Sequence, residues 1–131
     1  MFSVLNTASS GMGVYQTWLN AISGNIANMN DASPTNQKAY QARYIMAKPS
    51  PAGLQGVGQG ASVAGVALGS AKGILTYSPS NPLANAQGYV RMPSINLAQQ
   101  MTQLIMAQRG YQLNAVVVTQ ATQAYKSALT L

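Results

Sequence analysis

The stretch Pro93-Ser94-Ile95-Asn96-Leu97-Ala98-Gln99-Gln100-Met101-Thr102-Gln103-Leu104-Ile105-Met106-Ala107-Gln108-Arg109-Gly110-Tyr111, continuing to Leu131, decides the fold. From Leu97, alternating steps of four and three residues land on Met101, Leu104, Gln108, Tyr111, Ala115, Val118, Thr122, Tyr125 and Leu129. Most of these positions are apolar, no proline interrupts them, and the spacing is that of one face of an α-helix. At 1.5 Å per residue the helix measures roughly 50 Å. A periodic pattern this long points to a coiled coil or a fibrous assembly rather than a globular helix. The flanking positions hold Gln100, Ile105, Ala107, Gln112, Asn114, Thr119, Ala121, Lys126 and Ala128. A free-standing coiled coil puts Glu and Lys there. With Leu113, Val116, Val117 and Ala124 extending the apolar surface, this helix requires neighbours on several sides.

The same stepping recurs near the N-terminus, through Leu5, Ala8, Met12, Tyr15, Leu19, Ile22, Ile26 and Met29. Gly11, Gly13 and Gly24 each cost about 1 kcal/mol in a helix interior, so this helix is weak alone. Its flanks (Ser9, Gln16, Ser23, Asn25, Asn30) are uncharged, and Trp18 is the one bulky exception, expected as a buried packing anchor. Asn30-Asp31-Ala32-Ser33-Pro34 carries turn and breaker signals, which predicts a helix end near Asn30. Residues 31–92 alternate instead, and predict strands at 40–46, 63–68 and 73–78, with a Gly/Pro loop at 49–60. Ser78-Pro79-Ser80-Asn81-Pro82-Leu83 must be extended or turning, because each proline biases its predecessor away from helix. Gly53, Gly56, Gly58 and Gly60 do not make a phosphate loop: no Gly-Lys-Ser/Thr follows them. The predicted fold is mainly α. Residues 1–30 and 93–131 form one unit, a coiled-coil-like bundle of long terminal helices, and 31–92 are a small β-rich insertion. Ordering about sixty helical residues costs about 1–2 kcal/mol each. One helix pair does not return that, so the helices are expected to be marginal until neighbouring subunits add their burial.

Composition narrows the chemistry. Charged residues make up 6% of the 131-residue chain, against about 25% in an ordinary domain. Seven are basic and one, Asp31, is acidic, while Glu, His and Cys are absent. Paired-carboxylate, Ser-His-Asp, Cys-His and His/Cys metal chemistry all need residues this chain lacks, so neither an enzyme nor a metal or cofactor site is expected. The net charge of +6 invites a nucleic-acid reading. However, Lys38, Arg43, Lys48, Lys72, Arg91, Arg109 and Lys126 are scattered, whereas nucleic-acid binders gather their cations on one face. Lys38, Arg43 and Lys48 come nearest to a patch and read as the solvated face of a strand. No segment reaches the ~20 apolar residues of a membrane span, and no secretory signal opens the chain. Export is therefore expected by a route without a cleaved signal. The alternative functional reading is a small basic cell-wall or nucleic-acid-binding adaptor.

Several motifs carry a family resemblance. Leu19-Asn20-Ala21-Ile22-Ser23-Gly24-Asn25-Ile26-Ala27-Asn28 is similar to the helix signature of the bacterial flagellar basal-body rod proteins. Asn81-Pro82-Leu83-Ala84-Asn85-Ala86-Gln87-Gly88-Tyr89-Val90 resembles the stretch before the family's C-terminal helix, and Met101 and Arg109-Gly110-Tyr111-Gln112-Leu113-Asn114 resemble motifs within it. Gln100 stands where the family has Glu, Leu113 where it has Ala, and Asp31-Ala32 where related proteins often have Thr. Without that Glu, an acid for Arg109 must come from another subunit. The resemblance implies a structural subunit of the proximal rod, in the flagellar basal body, crossing the periplasm and cell wall and passing motor torque to the hook. Implied partners are further copies, other rod proteins, basal-body ring or adaptor proteins and the flagellar export apparatus, without nucleic acid or membrane insertion. The expected subunit-packing residues are Met12, Tyr15, Trp18, Leu19, Ile22, Asn25, Ile26, Asn28, Met101, Leu104, Arg109, Tyr111, Asn114, Val118, Tyr125 and Leu129. The adaptor reading is separated by salt. A rod subunit should bind DNA and anionic wall polymer weakly, with a shallow dependence on salt in a titration; a steep slope would favour the adaptor.

Overall fold

The computed structural model describes residues 2–51 and 58–131; of the predicted loop at 49–60, residues 52–57 lie outside them. The elements are α1 (Phe2–Ala27), β1 (Arg43–Pro49), β2 (Ala61–Leu68), β3 (Ile74–Tyr77), β4 (Tyr89–Met92) and α2 (Leu97–Leu129). Two helices thus bracket two small antiparallel hairpins, β1–β2 and β3–β4. α1 stops at Ala27, short of the expected Asn30, because Asn28 closes the last turn with its own amide. Its Nδ2 donates to the Gly24 carbonyl at 2.8 Å. At the start of α2, Asn96 accepts from the Gln99 N–H at 3.0 Å, an N-cap that supplies one of the acceptors a helix start lacks.

The helices pair antiparallel. Phe2 lies against Tyr125 with ring centroids 6.0 Å apart, Gly11 faces Asn114 and Gly110 faces Tyr15, and Asn25 bonds to Gln100. Gly110 is there for space: a Cβ on it would stand 2.3 Å from the Tyr15 ring. The face that α2 turns inward is offset from the one its largest side chains suggest. Its two buried residues, Gln100 and Ala107, were both expected as flanks, while Leu97 and Met101 on the expected seam are exposed. Close approach selects small residues, and the Tyr15 ring of α1 occupies the room that Gly110 leaves.

The β1–β2 hairpin runs along α1 and is pinned at both ends. At one end the Asn25 side chain pairs with the backbone of Arg43: Nδ2 donates to its carbonyl at 3.0 Å, and Oδ1 accepts from its N–H at 2.8 Å. At the other, Ser10 Oγ accepts from the Ala61 N–H at 3.1 Å. Fifteen helical residues span roughly 22 Å, and the strand from Arg43 to Pro49 spans roughly 20 Å, so the two anchors match in reach. β1 begins at Arg43 rather than Tyr40, because residues 39–42 bond instead to the connector at 69–71, with Ala39 N–H on the Ala71 carbonyl and Gly69 N–H on that of Ala42. A bulge between Met46 and Ala47 shifts the register against β2, which begins at Ala61, two residues before the predicted strand.

β4 was not anticipated. It is four residues long and follows Gly88, whose positive φ of 85 makes the turn. On the side away from β3 it is bridged by Ser33, which exchanges both backbone bonds with Arg91 at 2.8 Å. The Arg91 guanidinium donates to the Thr35 carbonyl at 2.7 Å and to that of Lys72, tying three segments of the insertion together.

Asn25 makes a further bond, Nδ2 to Gln100 Oε1 at 3.1 Å, and both amides are wholly buried. One side chain thereby joins α1, α2 and β1. Replacing it with an apolar residue strands the Arg43 N–H and carbonyl at a cost of about 1–3 kcal/mol each. Asn25→Leu is therefore expected to accelerate trypsin cleavage after Arg43 by roughly tenfold or more, measured on the purified chain under conditions where cleavage follows local opening. An unchanged rate would contradict the clasp.

Candidate assembly surface

The molecule carries more surface than its mass requires. Its accessible area is 8584 Å², against about 6,600 Å² for a compact protein of this mass. Of the seven buried hydrophobic residues among those described, five are alanines, and only Ile22 and Val90 are larger. Meanwhile Leu97, Met101, Ile105, Met106, Leu113 and Val116 lie 44% to 68% exposed along α2. Apolar area of this extent on a monomer marks a contact surface.

The predicted packing residues divide into three groups. Ile22 and Asn25 are buried inside the chain. Asn25 was expected among the subunit-packing residues, but its Nδ2 and Oδ1 are both engaged internally. Met12, Tyr15, Trp18, Leu19, Ile26, Asn28, Leu104, Tyr111, Asn114 and Val118 are half-buried. In this group Asn28 bonds back to Gly24 and Asn114 to the Gly110 carbonyl at 3.0 Å, so each serves its own helix. Met101, Arg109, Tyr125 and Leu129 are exposed.

Trp18 is half-buried rather than enclosed. It stacks on Tyr15 at 6.2 Å, and both line a cleft of roughly 300 Å³ between α1 and the β1–β2 hairpin, with Gly11, Val14, Ile45 and Ala61. This cleft is apolar and open on one side, so it can receive a hydrophobic side chain. Sequence reasoning missed Gln100 and Arg91 as structural residues. A neutral amide in the flank of a helix and a lone cation in a short segment give no pattern to read.

The electrostatics are spare. The one carboxylate, Asp31, is exposed in the turn after α1. Among the described residues no cluster of His, Cys, Asp or Glu is able to hold a metal, and no helix is long and apolar enough to cross a membrane.

Comparison with known proteins agrees with this geometry. Residues 86–131 match the family described as flagellar basal body rod FlgEFG protein C-terminal. Over its whole length the chain is 30% identical to the flagellar basal-body rod protein FlgC of Salmonella typhimurium, covering 97% of that protein. The FlgC proteins of Escherichia coli O6:H1 and Borreliella burgdorferi are 30% and 29% identical, each again aligned with all of this chain and 97% of its own length. With the helix–hairpin–hairpin–helix order spanned from end to end, the chain belongs to the FlgC family of flagellar basal-body rod proteins.

Proposed function

We infer that the uncovered apolar faces of α1 and α2 are subunit contacts within the flagellar rod, of which this chain is a structural part in the basal body. The observation that carries the reading is the pairing of a small, alanine-rich core with a long apolar face on α2. In this reading residues 1–30 and 93–131 act as one unit, completed into a coiled-coil-like bundle by other copies and other rod proteins. The insertion at 31–92 rides on its outside. Met101, Tyr125 and Leu129 contact neighbours directly, and Leu104, Tyr111, Val118, Met12 and Leu19 set the spacing of the pair from within. Arg109 takes its counter-charge from a neighbouring subunit.

Uncharged contacts suit a torque shaft. Close lateral packing of small and amide side chains resists twisting without the desolvation cost of burying ions. The work is mechanical, not catalytic. We further assign the chain to the proximal rod, with contacts to the ring or adaptor proteins and passage through the flagellar export apparatus.

Two substitutions separate lateral packing from folding. Leu113 is 68% exposed, so Leu113→Asp should change the free chain's stability by less than about 0.5 kcal/mol. In cells lacking the native copy it should nevertheless block rod completion and swimming, seen by motility assay and by microscopy of basal bodies. Normal swimming would contradict the contact. Gly110→Ala drives a methyl into the Tyr15 ring and should also abolish swimming. Tyr15→Ala in the same chain should restore it in part, which a generic loss at position 110 would not allow.

A further inference from the structure

The β3–β4 hairpin presents an edge that the helix-packing reading leaves unused. β3 pairs with β4 in the register Ile74 to Met92, Leu75 to Arg91, Thr76 to Val90 and Tyr77 to Tyr89. The backbone of Arg91 bonds to Ser33, and that of Tyr89 to Asn85, so both point away from β3. Antiparallel pairing alternates. Ile74 and Thr76 therefore bond to β4, and the N–H and carbonyl groups of Leu75 and Tyr77 face outward.

All four residues of β3 are exposed, with Ile74 at 54%, Leu75 at 58% and Tyr77 at 64%. Native edges are usually blunted by shortness, a bulge, a proline or an inward charge; β3 is short, at four residues, but it carries no bulge, proline or inward charge, and its ladder with β4 is regular. Beside its start, the Ala39 N–H bonds to the Ala71 carbonyl. This sets Lys38 and Lys72, both exposed, on neighbouring runs of chain.

We propose that the outer edge of β3 is a strand-addition site for an extended acidic segment of a different protein. Its backbone would continue the sheet on Leu75 and Tyr77, and a carboxylate at one end would lie against Lys38 and Lys72. Ladder-spaced donors and acceptors select a polypeptide strand over a polyanion, with alternating side chains giving specificity. A second copy is a poor occupant, because its only acid is Asp31 and its own β3 brings another lysine. The inference is independent of the helix contacts and fails or stands apart from them.

The test uses the full chain and synthetic peptides of about ten residues, alternating Val and Thr, with two Asp at either the N- or the C-terminal end. Amide hydrogen exchange is read residue by residue. In the free chain, Ile74 and Thr76 should be protected while Leu75 and Tyr77 exchange freely. An Asp peptide should slow Leu75 and Tyr77 at least tenfold, and the same peptide with Lys for Asp should bind at least tenfold more weakly. Lys72→Glu, which leaves Lys38 beside a carboxylate, should erase that preference. Leu75→Pro, which removes an outward N–H and leaves the β4 bonds intact, should abolish the protection at Tyr77. The proposal is overturned by Ile74 and Thr76 exchanging freely without peptide, by no slowing of Leu75 and Tyr77, by equal binding of the Lys peptide, or by binding that survives Leu75→Pro.

Discussion

A single buried amide joins both helices to the first hairpin. Asn25 bonds to both backbone groups of Arg43 and to the Gln100 side chain, so the relative placement of both helices and the first hairpin depends on it. Stranding any of those groups costs more than the bond's modest net value, which makes the clasp specific as well as stabilising. Gln100 is itself incompletely satisfied: its Nε2 is buried without a partner among the described residues. A Glu at this position would have no such N–H, but it would bury a charge, at several kcal/mol before compensation. This chain takes the neutral option, as it does almost everywhere.

The same avoidance of ions explains Arg91. With one carboxylate in the chain, its guanidinium finds acceptors in two backbone carbonyls and acts as a staple for the insertion. Burial is concentrated near these polar ties. α1 buries Ala21, Ile22 and Asn25 in its last two turns and only Ala8 before them, and α2 buries no residue beyond Ala107. One end of the helix pair is thus knitted to the insertion. The other end, out to Tyr125 and Leu129, rests on few contacts and much uncovered apolar surface. Such a distribution gives low local stability away from the clasp. In the proposed contacts a neighbour covers the exposed face and supplies what the chain lacks, which links the amino-acid pattern to a shaft built by stacking.

Much of this was legible in the residues. The long unbroken period after Asn96, the Gly-weakened period before Asn30, and the alternation between them placed both helices and three of the four strands. Near-absence of charge announced assembly. What was not legible has physical causes. The inward face of α2 was set by where Gly110 lets Tyr15 approach, and apolar periodicity does not weigh backbone clearance. β4 is too short for alternation to register, and its strand character comes from the Ser33 bridge and the turn at Gly88, both nonlocal facts. Asn25 lies on a face that reads as helix surface, and only the return of β1 against α1 turns it into the centre of the fold.

The central claim is that the helix pair is self-sufficient only at its clasped end. Circular dichroism of the purified chain in dilute solution tests it most directly. The account predicts helicity well below that of the 26- and 33-residue helices of the structure, no single sharp melt, and a rise as the chain is concentrated or mixed with other rod proteins. Full helicity in the dilute monomer, lost in one cooperative transition, would contradict it.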